Sequence, residues 1–250
     1  MPHPATVVPE IAPHLKRLLD FVDPQPGDVC LDVARGRGPL PALLAPRVRR
    51  LTAVDAARDG RAFHTGPVRM PGDALPAPAA PSPRTDEAVH ETVRADATAL
   101  PYPDGSFSLV TARFALYALG APHDVLRELL RVRRPGGRLI MADLVRGNFA
   151  GTARDRIERL RDPDHPGTPT IARLTDMVTA AGGTIRRLDV FTVERPAEPW
   201  LADAPDPDAA DRVREELLDE VDGGPRTGAK PRIIGGELWF TQTWAHVLLA

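Results

Sequence analysis

The sequence predicts an α/β domain built on a mainly parallel, doubly wound sheet. Short apolar strands alternate with amphipathic helices from about residue 10 to residue 145. The stretch Val29-Cys30-Leu31-Asp32-Val33-Ala34-Arg35-Gly36-Arg37-Gly38 joins an apolar strand to a helix that opens near Leu40. Gly36 and Gly38 allow the backbone to turn tightly and a ligand to approach it where no Cβ intervenes. The chain of 250 residues is long enough to bury a sizeable core as a single domain over 1–250.

The elements follow in order. Ile11, Leu15, Leu18, Leu19 and Val22 recur at helical spacing, so Glu10–Val22 reads as an amphipathic helix that ends before Pro24, inside an N-terminal segment 1–26. Strands are predicted at Asp28–Val33 and Arg50–Val54, with a helix around Pro41–Val48 between them. That spacing implies a right-handed parallel crossover. Further strands are predicted at Val89–Arg94, Phe107–Ala112 and Arg138–Val145. Helix Ala121–Val132 presents Val125, Leu126, Leu129, Leu130 and Val132 on one face. The run Arg133-Arg134-Pro135-Gly136-Gly137 stops it and turns the chain into the next strand. Beyond lie a helix at Pro169–Ala181, an edge-type strand at Thr184–Val193, a helix at Pro207–Val221 and a final strand within Gly236–Leu249. Pro71–Arg84, in a variable segment 56–88, is rich in proline and alanine and reads as a surface loop.

Composition narrows the function. A formal net charge of −2 calls for neither nucleic acid nor an anionic membrane surface. The single cysteine, Cys30, excludes an internal disulfide and reads as a buried thiol in its apolar strand. No basic segment precedes an apolar run at the N-terminus and no stretch approaches membrane-spanning length, so the expectation is a cytoplasmic protein. No His/Cys/Asp cluster has metal-ligand spacing. Ser106 and Ser108 lack the histidine and acid arrangement of a nucleophilic triad.

Four segments, in this order and spacing, resemble the class I S-adenosylmethionine-dependent methyltransferases, in particular the small-molecule branch related to quinone C-methyltransferases. They are Leu31–Gly38, Val54-Asp55, the run Asp96-Ala97-Thr98-Ala99-Leu100-Pro101-Tyr102-Pro103-Asp104-Gly105-Ser106-Phe107-Ser108-Leu109-Val110, and Arg133–Leu139. The resemblance covers roughly the first 145 residues. It implies a Rossmann-like seven-stranded sheet of order 3-2-1-4-5-7-6, the last strand antiparallel, with a helical insertion at 196–235 near the active-site mouth. It also implies S-adenosylmethionine as cofactor, a small-molecule substrate, and a homodimer or a paired subunit as the possible assembly.

The same resemblance assigns cofactor contacts to Asp32, Ala34, Gly36, Gly38, Asp55, Asp96 and Ala97. Asp55 would accept both ribose hydroxyls. Asp96 and the Ala97 amide would meet adenine, and Asp32 would sit near the amino-acid end. Catalytic candidates follow the fourth strand or precede a later helix: Arg113, Tyr117 and His165. Tyr117 or His165 would act as general base. Arg113, Phe114 and Tyr117 are expected to rim the crevice and His123 to open the next helix, whereas Trp239 and Trp244 are expected in the core of the last strand. The sequence departs from the family at Ala34, at Arg35 and Arg37, and after Asp55, where Ala56-Ala57-Arg58-Asp59-Gly60 offers no large apolar group for adenine. The alternative reading is a methyltransferase fold turned to cyclisation or elimination, or a non-catalytic partner subunit.

Overall fold

Strand β1 (Val29–Ala34) lies inside the sheet because both its faces are buried: Cys30, Leu31, Asp32 and Val33 are all inaccessible. The computed structural model describes residues 11–34, 39–56, 90–114, 119, 121–147, 151–163, 165–202 and 204–250. Strand β1 pairs in parallel with β2 (Arg50–Asp55) on one side and β4 (Phe107–Arg113) on the other. Parallel pairing continues outward to β3 (His90–Arg94) beyond β2 and to β5 (Arg133–Leu144) beyond β4. The long final strand β8 (Glu237–Leu249) runs antiparallel between β5 and β6 (Ile185–Pro196). The order is therefore β3-β2-β1-β4-β5-β8-β6, the arrangement expected for the seven principal strands. A three-residue strand, β7 (Arg232–Ile234), also pairs with β8 and brings the sheet to eight strands.

Helices cover both faces. On one, α1 (Pro13–Val22) and α2 (Leu40–Leu44) bury Leu18, Leu19, Val22, Leu40 and Leu44 against Cys30, Leu51, Leu109 and Ile140. Helix α1 starts at Pro13, which lacks an N–H to leave unsatisfied, and stops at Asp23, whose φ of 47° is left-handed. On the other face, α3 (Pro122–Val132) and α5 (Ile171–Ala180) pack Val125, Leu126, Leu129, Leu174 and Val178 onto Leu31, Val33, Val110 and Met141. A third cluster stands beside the sheet. Helices α4 (Ala153–Arg161), α6 (Ala197–Leu201) and α7 (Pro207–Val221) enclose Ile157, Trp200, Val213 and Leu217 with Leu238 and Phe240 of β8. Cys30 is buried, as its apolar strand implied, and burial, then Asp32 and Asp28, push its thiol pKa up.

The structure corrects several boundaries. Strand β5 begins at Arg133, not Arg138: Phe107 faces Arg133 while Leu109 faces Arg138, so the Pro-Gly-Gly run is an irregularity within the strand. A Cβ at Gly137 would fall 2.9 Å from the Ser108 carbonyl oxygen, which is why the close passage needs glycine there. Helix α2 gives way to a 3-10 turn at Ala45–Arg47, and β6 runs on to Pro196. The expectations for residues 1–10 and for the proline-rich run 71–84 lie outside the described residues.

Arg138 fastens α1 to the sheet. Its guanidinium donates to the carbonyls of Val22 (2.9 Å) and Asp23 (2.8 Å) and to the buried Asp28 carboxylate (2.6 Å), which also accepts from Ser108 Oγ at 2.7 Å. Arg138→Ala is expected to cost about 2 kcal/mol, because it strands a buried carboxylate and two helix-end carbonyls. Urea denaturation measures it; an unchanged midpoint would mean that the contacts are replaced by water without loss.

Candidate functional site

The carboxyl ends of β1, β2 and β3 come into line and set two expected cofactor residues, Ala34 and Asp55, side by side. Ala34 pairs with Asp55 and Asp55 with Arg94 in the strand register. The Ala56 N–H donates to the Ala34 carbonyl at 2.9 Å, so the chain leaving β2 stays against the end of β1. Asp55 is half-buried there. Asp96 follows β3 directly and is exposed, its Oδ1 accepting from the Thr98 amide (2.8 Å) and hydroxyl (2.7 Å). Ala97 is buried in the core, which fixes the backbone of this pair. The strand order reverses between β1 and β4, and ligands of open α/β sheets bind at such a point.

The loop after Asp96 is held from below by α3. Glu128 accepts from the Leu100 N–H at 2.7 Å, and Arg131 donates to the Tyr102 carbonyl (2.8 Å) and the Asp104 carboxylate (2.6 Å). Tyr102 packs edge-on against Phe107 at 5.0 Å. These contacts give the Asp96–Phe107 segment a fixed shape, which explains its combination of acid, proline and aromatic residues.

Asp32 lies one layer deeper. It is only 2% exposed and accepts from Thr111 Oγ1 at 2.5 Å. Burial pushes its pKa up to about 6, against the opposing effects of the Thr111 hydroxyl and the nearby Arg113 guanidinium. Arg113 is itself buried at the end of β4 and stands over the Phe114 ring at 5.4 Å. Phe114 takes a left-handed φ of 56° while its N–H bonds the Ala142 carbonyl at 2.9 Å. A bulky side chain in that region stores strain, and such positions concentrate at ligand sites. Its ring meets Trp244 edge-on at 5.2 Å. Two strands away, His246 is buried between Phe21 and Phe191, and burial lowers its pKa to about 4.

The remaining expected residues fall elsewhere. Gly36, Gly38 and Tyr117 lie outside the described residues, as do Arg35, Arg37 and the segment 57–89. His165 is packed into the turn after α4, where its Nδ1 accepts from the Gly167 N–H at 3.1 Å. Burial lowers its pKa, so the ring is neutral with its proton on Nε2. That leaves no accepting nitrogen for a general base while the Gly167 bond persists. Trp244 is buried, whereas Trp239 borders a cavity of about 890 Å³ between α1 and β6. Sequence reasoning missed Thr111 and also Asp143, a fully buried acid near the carboxyl end of β5. Its signal was an acid inside the apolar run Leu139–Val145.

Residues 31–141, the span containing these strand ends, match the family model for the methyltransferase domain. This segment is similar to a methyltransferase domain. It is 36% identical over 122 residues to demethylmenaquinone methyltransferase of Clavibacter sepedonicus, covering 49% of this chain and 43% of that protein. It is also related to 27-O-demethylrifamycin SV methyltransferase of Amycolatopsis mediterranei, at 35% identity over 147 residues, covering 58% and 49%. The chain thus spans about half the length of the curated relatives it matches. Among solved structures, the YcgJ protein of Bacillus subtilis superposes with a TM-score of 0.69 at 18% identity, covering 94% of this chain and 96% of that one, which shows the shared fold. Among the described residues, no helix is long and apolar enough to cross a membrane.

Proposed function

We propose that the protein transfers a methyl group from S-adenosylmethionine to a small molecule. The observation that carries this reading is Asp55, a half-buried carboxylate at the end of β2, in register with Ala34 where the glycine turn begins. The donor set suits the cofactor. Asp55 offers two oxygens to the ribose hydroxyls, Asp96 and the Ala97 backbone stand at the next strand end for adenine, and Asp32 offers negative charge for the cationic amino-acid end. Gly36 and Gly38, which carry no Cβ, are residue types that suit a close backbone approach to a ligand.

When bound, S-adenosylmethionine supplies an electrophilic methyl group. The protein's contribution is orientation, exclusion of water and charge. Arg113 acts as a positioning residue that favours the ionised form of Asp32. Phe114 and Trp244 form an apolar wall beside it. Tyr117 remains the candidate to receive a proton from the acceptor, and an in-line approach held by the site would supply most of the rate. The relatives' named activities, on a quinone precursor and on a rifamycin, support a small-molecule acceptor.

Calorimetric titration with S-adenosylmethionine and S-adenosylhomocysteine tests the reading. Micromolar affinity is expected, with about a hundredfold loss in Asp55→Ala from removal of two charge-assisted hydrogen bonds. Absence of binding at millimolar ligand would overturn it.

A further inference from the structure

Beyond the carboxyl end of β5 a cavity of about 1000 Å³ opens between Leu144–Gly147, the start of α4, the chain before β7 and Thr241–Thr243 of β8. Among the described residues, five cationic side chains line it: Arg146, Arg154, Arg226, Lys230 and Arg232. Two carboxylates share the wall, Glu158 and Glu220, and both are engaged within the protein. Glu158 binds Arg154 at 2.5 Å, and Glu220 accepts from the Thr227 N–H at 2.7 Å. Arg232 is paired with Glu194. Arg226 and Lys230 are left with no hydrogen bond or ion pair among the described residues.

The wall that carries these two cations is fixed in place. The Thr241 N–H bonds the Ala229 carbonyl at 2.8 Å, and the buried Thr227 hydroxyl bonds Glu220. Gly228, at φ +76°, has only 3.1 Å between the place of a Cβ and the Arg154 nitrogen, so the loop lies directly on α4. Helix α4 starts at the cavity with no side chain capping its first turn, and its dipole adds to the positive potential. A concave wall with excess positive charge attracts and orients an anion.

We propose that this cavity binds the anionic group, carboxylate or phosphate, of the methyl acceptor. The proposal rests on the methyltransferase reading for the word acceptor and on the cavity for the charge. β5 adjoins β4, so an acceptor anchored here reaches toward the crevice at the β1/β4 switch point. Arg226 and Lys230 would contact the anion, while Arg146 and Arg154 would set the potential around it.

The test titrates the protein, alone and with S-adenosylhomocysteine, with inorganic pyrophosphate, citrate and glycerol at low ionic strength. At least one anion is expected to bind and glycerol not to bind. The exposed pair Arg226→Gln and Lys230→Gln, combined, should weaken the anion by about tenfold or more and flatten its salt dependence, with S-adenosylhomocysteine affinity unchanged. Preference for pyrophosphate assigns a phosphate, and preference for citrate a carboxylate. The proposal is overturned if neither anion binds a protein that binds S-adenosylhomocysteine, or if the double variant, folded by circular dichroism, binds both as the parent does. Cation-dependent anion binding without S-adenosylhomocysteine binding would sink the methyltransferase reading and leave the anion cavity standing.

Discussion

Asp32→Asn should make the protein more stable at pH 7 and less able to hold its cofactor. The folded-state pKa of Asp32 is raised to about 6 from an ordinary 3.8, chiefly by burial. Below about pH 4 the group is protonated in both states, and its favourable contribution is fully present. As pH rises from 4 to 6 the unfolded chain loses its proton first, so stability falls until the folded carboxyl ionises too. At neutral pH the buried charge therefore costs about 3 kcal/mol, taking 1.36 kcal/mol for each pH unit. A neutral isostere that still accepts from Thr111 avoids most of that cost, and the melting temperature should rise by roughly 5–10 °C. The same substitution removes the charge proposed to face the cationic end of S-adenosylmethionine, so affinity should fall. In the parent protein, affinity should weaken as pH drops through 6. A variant with unchanged melting temperature and unchanged affinity would show that Asp32 is neither strained by burial nor near the ligand.

His246 works in the opposite direction, and the pair makes the prediction sharper. Its pKa is lowered to about 4 by burial, then by Arg17, with Asp189 opposing and Arg113 and Arg187 adding to the fall. Between pH 6.5 and 4 the unfolded histidine takes up a proton that the folded ring refuses, so stability is lost on acidification. Across pH 4–6 the Asp32 and His246 slopes oppose each other in the parent. Asp32→Asn should uncover the histidine slope, visible as acid-sensitive unfolding followed by fluorescence. His246→Phe should leave the Asp32 slope alone, and its stability should increase as pH falls toward 4.

How much of this was readable in the sequence follows from how each element advertises itself. Strands β1, β4 and β5 are apolar on both faces and stood out at once; α3 and α7 have clean starts at Pro122 and Pro207. The position of the last strand between β5 and β6 came from the family resemblance, since no local pattern dictates which strand an antiparallel newcomer joins. Helix α4 was missed because its buried face is polar: Asp155, Glu158 and Arg161 face inward beside Ile157. A search for apolar periodicity passes over such a helix. β7 spans only Arg232–Ile234, too short for an alternating pattern to register.

The site divides in the same way. Asp55 and Asp96 were singled out by the four-segment resemblance, not by any local pattern, and the register sets Asp55 beside Ala34. The depth of Asp32 was not legible, because alternation along a strand does not say which residue lies under a helix. Thr111 gains its role only through the pairing of β1 with β4, a contact across 79 positions of sequence. His165 illustrates the converse. A loop histidine near a predicted crevice invites a catalytic reading, yet its surroundings are set by the turns of α4, which the sequence pattern had hidden.

Glu158→Ala should cost about 3–5 kcal/mol, because it strands two nearly buried guanidinium groups. The side chains of Arg154 and Arg161 are 12% and 6% exposed. Arg154 Nε and Nη2 both donate to Glu158 Oε1, at 3.0 and 2.5 Å, and Arg161 Nε lies 3.9 Å from Oε2. Burial alone would raise the Glu158 pKa, but Arg154, then Arg161, outweigh it and hold the carboxyl below its usual range. Its stabilising contribution is therefore present at neutral pH and lost on acidification. The two arginines lie against Trp200, at 5.2 and 4.8 Å, so the lost charge sits at the heart of the α4–α6–α7 cluster. That cluster is separate from the two cores flanking the sheet, and damage should remain largely local. Hydrogen exchange should quicken in α4 and α7 while the amides of β1 and β4 stay protected. S-adenosylhomocysteine should still bind, because its proposed contacts stand on β1, β2 and the end of β3, whereas pyrophosphate or citrate should lose its cavity. Glu158→Gln keeps the shape and part of the hydrogen bonding, so it should fall between parent and alanine variant. Equal loss of both ligands in Glu158→Ala would show that the cluster and the sheet unfold as one unit.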